Sequence, residues 1–117
     1  MSRILIVDDN LQNLYLTRFL LEQCGHCIDE AHNGEEAIAV LKDKVYDLIL
    51  MDIQMPVLDG LEATRRIKAE YNIPIVVLTA KATTGDREAI LQAGCDGYIK
   101  KPIDPELFAG QVELFLA

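Results

Sequence analysis

Long apolar stretches are missing from this chain, and none of its hydrophobic runs approaches the ~20 residues that cross a bilayer. A cleavable leader pattern is missing as well: Met1-Ser2-Arg3 leads straight into an apolar run, and a cytoplasmic protein is expected. Basic residues are scarce, 11 Lys and Arg against 19 Asp and Glu, which gives a formal charge of −8. Such a surface repels the phosphates of nucleic acid and excludes that class of partner. Three cysteines are too few, and odd in number, for a disulfide framework. Cys24-Gly25-His26-Cys27 spells a Cys-x-x-Cys, yet a redox pair needs its first sulfur at a helix amino end, where the dipole lowers the thiol pKa. Here Cys24 closes a helix, with Gly25 in the carboxyl-cap place. The lack of a second ligand pair argues against zinc. No repeat, low-complexity tract or linker interrupts the 117 residues, so one domain over 1–117 is expected.

What the chain does have is four short apolar runs that each lead into a polar group suited to phosphoryl chemistry. Ile4-Leu5-Ile6-Val7 leads into Asp8-Asp9, Leu48-Ile49-Leu50-Met51 into Asp52, and Ile75-Val76-Val77-Leu78 into Thr79. Tyr98-Ile99 leads through Lys100 to Lys101-Pro102. Short apolar runs separated by helical patterns read as parallel strands buried on both faces. In such sheets the working crevice lies at the carboxyl ends of the strands. Carboxylates, a hydroxyl and an ammonium group are therefore expected to converge there.

Strands are expected near residues 3–7, 27–31, 47–51, 75–79 and 96–99, and helices near 10–24, 35–43, 60–70, 84–93 and 105–116. Asn33 with Glu36 and Asp59 with Glu62 have capping-box spacing. Asp104-Pro105 places a cap before a proline at the first helical position. Gly25 and Gly94 fall just past helix ends. Phe108, Val112 and Phe115 share a face of the last helix and read as core. The alternation predicts an α/β fold with right-handed crossovers and helices on both faces of a parallel sheet. Strand order stays open on this evidence.

Taken together, Val7-Asp8-Asp9-Asn10, Met51-Asp52-Ile53-Gln54-Met55-Pro56 with Asp59-Gly60, Leu78-Thr79-Ala80 and Lys101-Pro102 resemble the response-regulator receiver domains of two-component signalling. The wording of the Asp52 motif resembles receivers of hybrid kinases and single-domain regulators. The resemblance implies a doubly wound five-stranded parallel sheet, (βα)5 flavodoxin-like, of order 2-1-3-4-5; the family's chemotaxis member is itself the standard illustration of that order. It implies that Asp52 is the phosphoacceptor, supplied by a phosphohistidine on a histidine kinase or histidine phosphotransfer protein. Asp9 resembles the direct Mg²⁺ ligand, with Asp8 behind it, and Asp52 and the backbone carbonyl of Gln54 complete the protein's share. Mn²⁺ is an alternative ion. Thr79 resembles the switch hydroxyl, Tyr98 the aromatic that moves with it, and Lys101 the lysine that pairs with the aspartate and then with phosphoryl oxygens. Pro102 is expected to follow a cis bond. Gln54 and Lys81 occupy places that tune dephosphorylation, Lys81 as a brake on the attacking water. Such a protein is no conventional enzyme: it catalyses its own Mg²⁺-dependent phosphorylation and slow autodephosphorylation. Its downstream protein target would read the fourth helix, fifth strand and fifth helix, roughly residues 84–110. Because the chain opens on Met1 and carries no linker, a stand-alone regulator is expected rather than an excised receiver.

The residue types suit that chemistry. Three carboxylates in one crevice repel each other, so some of their pKa values should rise. A hard divalent cation relieves the repulsion, and oxygen ligands select Mg²⁺ or Mn²⁺. A carboxylate is a competent nucleophile for phosphoryl transfer. Each residue also has a plainer reading: Asp9 as a helix cap, Tyr98 as core, Thr79 as a turn cap, Lys100 and Lys101 as solvated charges. Asp47 and Arg65-Arg66 read as structural or solvent-facing. Three rivals stand beside the main reading. A receiver fold used only for docking would never be phosphorylated. An aspartate-nucleophile phosphatase needs a second aspartate two residues after the nucleophile, where this chain has Gln54. A flavodoxin-like cofactor binder needs a phosphate loop where this chain has Asp8-Asp9.

Overall fold

The structure, a computed structural model, describes residues 2–53, 55, 58–80 and 83–116. Five strands and five helices alternate: β1 (Arg3–Val7), α1 (Leu11–Glu22), β2 (Cys27–Ala31), α2 (Gly34–Leu41), β3 (Leu48–Asp52), α3 (Gly60–Glu70), β4 (Ile75–Thr79), α4 (Thr84–Gln92), β5 (Gly97–Lys100) and α5 (Phe108–Glu113). The strands pair in parallel in the order β2-β1-β3-β4-β5. The order reverses between β1 and β3, and a crevice opens at their carboxyl ends.

Period-two alternation splits the core between the two faces of the sheet. Ile4, Ile6, Leu48, Leu50, Val76 and Leu78 pack against Leu14 and Leu21 of α1 and Phe108 and Val112 of α5. Leu5, Val7, Ile49, Met51, Ile75 and Val77 pack against Ala37 and Leu41 of α2, Ala63 and Ile67 of α3, and Ile90 of α4. Every residue of the three central strands except Arg3 is buried, which is why they carry no polar alternation.

The caps refine the expected boundaries. Asn33 and Asp59 each accept the amide of the third helical residue, Glu36 and Glu62, at 2.9 Å. The reciprocal half of those boxes is not used: Glu36 turns to His32 and Asn33 side chains, and Glu62 to Arg65 and Arg66. The complete capping box is at Thr83 and Asp86. Gly25 and Gly94 take φ of +88° and +93°, the left-handed conformation that closes α1 and α4. The last helix is shorter than expected. Asp104 does accept the Glu106 amide and, through its carbonyl, that of Phe108, but residues 105–107 form only a turn. Regular helix begins at Phe108, with no side-chain cap. The fully buried Phe108 and Val112 anchor it instead.

Candidate functional site

Asp8, Asp9, Asp52 and Thr79 follow or end the central strands β1, β3 and β4, while Tyr98 lies within the edge strand β5 and Lys101 follows it. Asp8 leaves β1 with its N–H donated to the Ala31 carbonyl at 3.1 Å, so its backbone is held in line with the sheet. Its side chain is 1% exposed. Oδ1 accepts the Asn10 amide at 2.9 Å, while Oδ2 is buried and accepts no hydrogen bond. Asn10 also caps α1 by accepting the Asn13 amide. It was not read as a functional residue from the sequence, although Asp-Asp-Asn ahead of a helical pattern carries a cap signal. Asp52 ends β3 almost fully buried. Asp9 is exposed beside them, and one oxygen of each of Asp8, Asp9 and Asp52 lies within 4.8 Å of the others.

Gly60 sets how closely the next helix approaches this cluster. Its N–H donates to the Ile53 carbonyl at 2.9 Å. A Cβ there would stand 2.8 Å from the Ile53 Cα and closer still to the Asp52 carbonyl, so the first turn of α3 abuts the end of β3 only because a side chain is missing.

Lys101 gathers the strand ends. Its N–H donates to the Thr79 carbonyl at 2.7 Å. Its ammonium donates to Asp52 Oδ1 at 3.1 Å and stands 3.8 Å from Asp8 Oδ2. Lys100, in register with Thr79, is exposed, so of the two lysines it is Lys101 that meets the carboxylates. The Lys101–Pro102 bond is cis. Thr79 is buried at the end of β4. Tyr98 is half-buried in β5, in register with Val77. Because Val77 and Thr79 share a face, Tyr98 lies on the same side of the sheet as the threonine. Gln54 and Lys81 lie outside the described residues.

The electrostatics follow from this placement. Burial pushes the Asp8 carboxyl from 3.8 up to about 6, the Asp52 charge adds to the rise, and the Asn10 amide and the Lys101 ammonium oppose it. Oxygen donors gathered around an unsatisfied buried carboxylate oxygen fit a hard divalent cation. A cleft of about 370 Å³ adjoins the cluster, lined by Asn13, Leu16, Ala80, Lys101, Pro102 and Ile103.

Residues read as structural are so placed. Asp47 accepts the Arg3 amide at 2.8 Å, and Arg65 and Arg66 both pair with Glu62 on the surface. Cys24, beyond the carboxyl end of α1, and Cys27, the first residue of β2, are exposed and form no disulfide. No helix among the described residues is long and apolar enough to cross a membrane.

The chain is similar to known proteins along nearly its whole length. The model of the response regulator receiver domain matches residues 4–113. The transcriptional regulatory protein ResD of Bacillus subtilis (strain 168) is 43% identical over 98% of this chain, which spans 48% of ResD. The polar-differentiation response regulator DivK of Brucella anthropi is 40% identical over 97% of this chain and 94% of its own length. Among solved structures, the receiver domain of sensor histidine kinase PA1611 from Pseudomonas aeruginosa PAO1 superposes with a TM-score of 0.89 at 37% identity, covering 98% of this chain and 97% of that one. That receiver holds a magnesium ion in its active site cleft. With five parallel strands in the order 2-1-3-4-5 and a family match over nearly its full length, the chain belongs to the response regulator receiver domain family.

Proposed function

We propose that the chain is a phosphoacceptor receiver in a two-component or phosphorelay pathway and that Asp52 takes the phosphoryl group. The observation that carries this reading is the single ammonium of Lys101 held on Asp52 Oδ1 beside the unsatisfied Oδ2 of Asp8. Asp8, Asp9 and Asp52, with the Gln54 carbonyl, would hold Mg²⁺. When bound, the ion offsets the repulsion among these carboxylates and the charge on the phosphoryl oxygens.

The chain's own residues do the rest. An Asp52 carboxylate oxygen attacks the phosphorus of a phosphohistidine on a partner protein. The new O–P bond replaces the P–N bond, whose electron pair stays with the imidazole. Lys101 leaves the oxygen it now holds and turns its charge to the transferred group, and loss of such a donor lowers a rate by ~10²–10³. The Thr79 hydroxyl turns toward the phosphoryl oxygens and Tyr98 moves inward behind it. The α4-β5-α5 surface changes shape, and a downstream protein reads it. Autodephosphorylation returns the chain to its starting state.

Intact mass after incubation with Mg²⁺ and acetyl phosphate tests the assignment. A single phosphoryl adduct is expected in the wild type, lost on chelation of the metal and absent from Asp52→Ala. An adduct that persists in Asp52→Ala overturns the assignment of the acceptor. Steady turnover of many phosphate esters would bring the phosphatase reading forward instead. No adduct from either acetyl phosphate or a phosphorylated histidine kinase would leave the docking module as the better reading.

A further inference from the structure

Outside the acidic cluster, one contact joins a helix of the reading surface to a residue of the proposed switch. The Arg87 guanidinium carbon lies 5.8 Å from the centroid of the Tyr98 ring. A guanidinium in that position is drawn to the negative face of the ring, an attraction that shifts an exposed equilibrium by a factor of about two to five. The helix that carries Arg87 has little else to fix it. Ile90 is the one residue among those of α4 that is buried, whereas α3 buries Gly60, Ala63, Thr64 and Ile67. The Thr83–Asp86 capping box closes the first turn, and the Arg87 amide donates to the Thr83 carbonyl at 3.0 Å. Ile90 docks the helix in the core, and Arg87, three residues before it, falls on the same side of α4.

We infer that Arg87 is a positioning residue for the switch, holding the Tyr98 ring at the mouth between α4 and β5 and opposing its movement toward Thr79. The inference rests on the reading of Asp52 as phosphoacceptor and of Tyr98 as the aromatic that moves. Tyr98 and Thr79 share a face of the sheet and belong to neighbouring strands, so a ring that moves toward the threonine travels along that face and leaves the guanidinium behind. Its restraint needs a cation rather than bulk, and arginine stays charged at every working pH. Phosphorylation has to overcome this contact before α4 and β5 can present their other arrangement. The chain thus sets its own threshold from the reading surface, at a distance from the carboxylates.

Two measurements on the full chain test it. In protein made with 3-fluorotyrosine, the chain's four tyrosines give separate resonances, and Tyr98→Phe identifies the relevant one. Arg87→Gln is expected to move the Tyr98 resonance without any phosphoryl mimic, while Arg87→Lys, which keeps a cation, leaves it near the wild-type position. With Mg²⁺ present, beryllofluoride serves as the phosphoryl mimic. Arg87→Gln is expected to bind it about two to five times more tightly than wild type, and Arg87→Lys with nearly wild-type affinity. An unmoved Tyr98 resonance in Arg87→Gln overturns the contact. Equal or weaker beryllofluoride binding in that variant overturns the restraint. A wild type that ignores beryllofluoride while its Tyr98 resonance still responds to Arg87→Gln overturns the phosphoacceptor reading and the restraint with it, leaving only the contact.

Discussion

The two edges of the sheet use aspartate in opposite ways. At the amino edge, Asp47 precedes β3 and Asp96 precedes β5, and each closes onto the first amide of a neighbouring strand. Asp47 accepts from Arg3 at 2.8 Å and Asp96 from Ile75 at 2.7 Å, with the Lys68 ammonium also 2.7 Å from Asp96. Asp29 of β2 shows the same economy: the Tyr46 hydroxyl donates to it at 2.6 Å and holds its carboxyl below the usual range. At the carboxyl edge, Asp8 is buried with an unsatisfied oxygen and its carboxyl is pushed up to about 6. One residue type therefore fastens strands at one edge and is held at a cost at the other. What separates the two is the supply of donors, and that supply marks the edge where the proposed cation and phosphoryl group would sit.

The contrast can be broken by mutation, and the largest effect is expected from Gly60→Ala. The added methyl has only the backbone of Asp52 and Ile53 to displace, so a loss of about 3 kcal/mol is expected in urea unfolding. A loss below about 1 kcal/mol would mean that the carboxyl edge is less tightly built than its geometry indicates. The next effect has the opposite sign. Asp8 ionises near 3.8 in the unfolded chain and near 6 in the folded one, so between those values the folded state holds the extra proton. Stability of the metal-free protein therefore falls as pH rises from about 4 to about 6 and then levels off, by at most about 3 kcal/mol. Asp8→Asn should recover about 1–3 kcal/mol at neutral pH and flatten that slope, as read from denaturant midpoints across pH. A variant less stable than wild type would contradict the picture of a carboxylate held at a cost.

The smallest effects belong to the fastened edge. Asp96→Ala is expected to lose about 1–2 kcal/mol, and Asp47→Ala, more exposed, about 1 kcal/mol or less. Neither loss should depend on Mg²⁺. A Mg²⁺-dependent change in either would show that the two edges are coupled, which sharpens rather than supports their separation.

Much of this was legible in the chain. Strand positions fell within a residue or so of those observed because a strand buried on both faces leaves an unbroken apolar run, as at Ile75–Thr79. The convergence of Asp8, Asp52, Thr79 and Lys101 followed from strand ends alone. The start of α5 was missed because Asp104-Pro105 carries a cap signal that the chain uses for a single turn. Gly60 escaped notice as a site residue because its contribution is space, and space is not visible until two backbones are placed. The Arg87–Tyr98 contact depends on how α4 is turned over β5, which the packing of the single buried residue Ile90 sets and a weak apolar pattern does not reveal.

Lys101 has a consequence of its own. Its amide is held by the end of β4 and its ammonium by the end of β3, so the path between the acid cluster and Thr79 is a single side chain long. An event at Asp52 that released the ammonium would reach the next strand without any helix having to relay it. The first step of signalling would then be as local as one lysine changing partners. Slower rearrangement of the surface would follow from it rather than cause it.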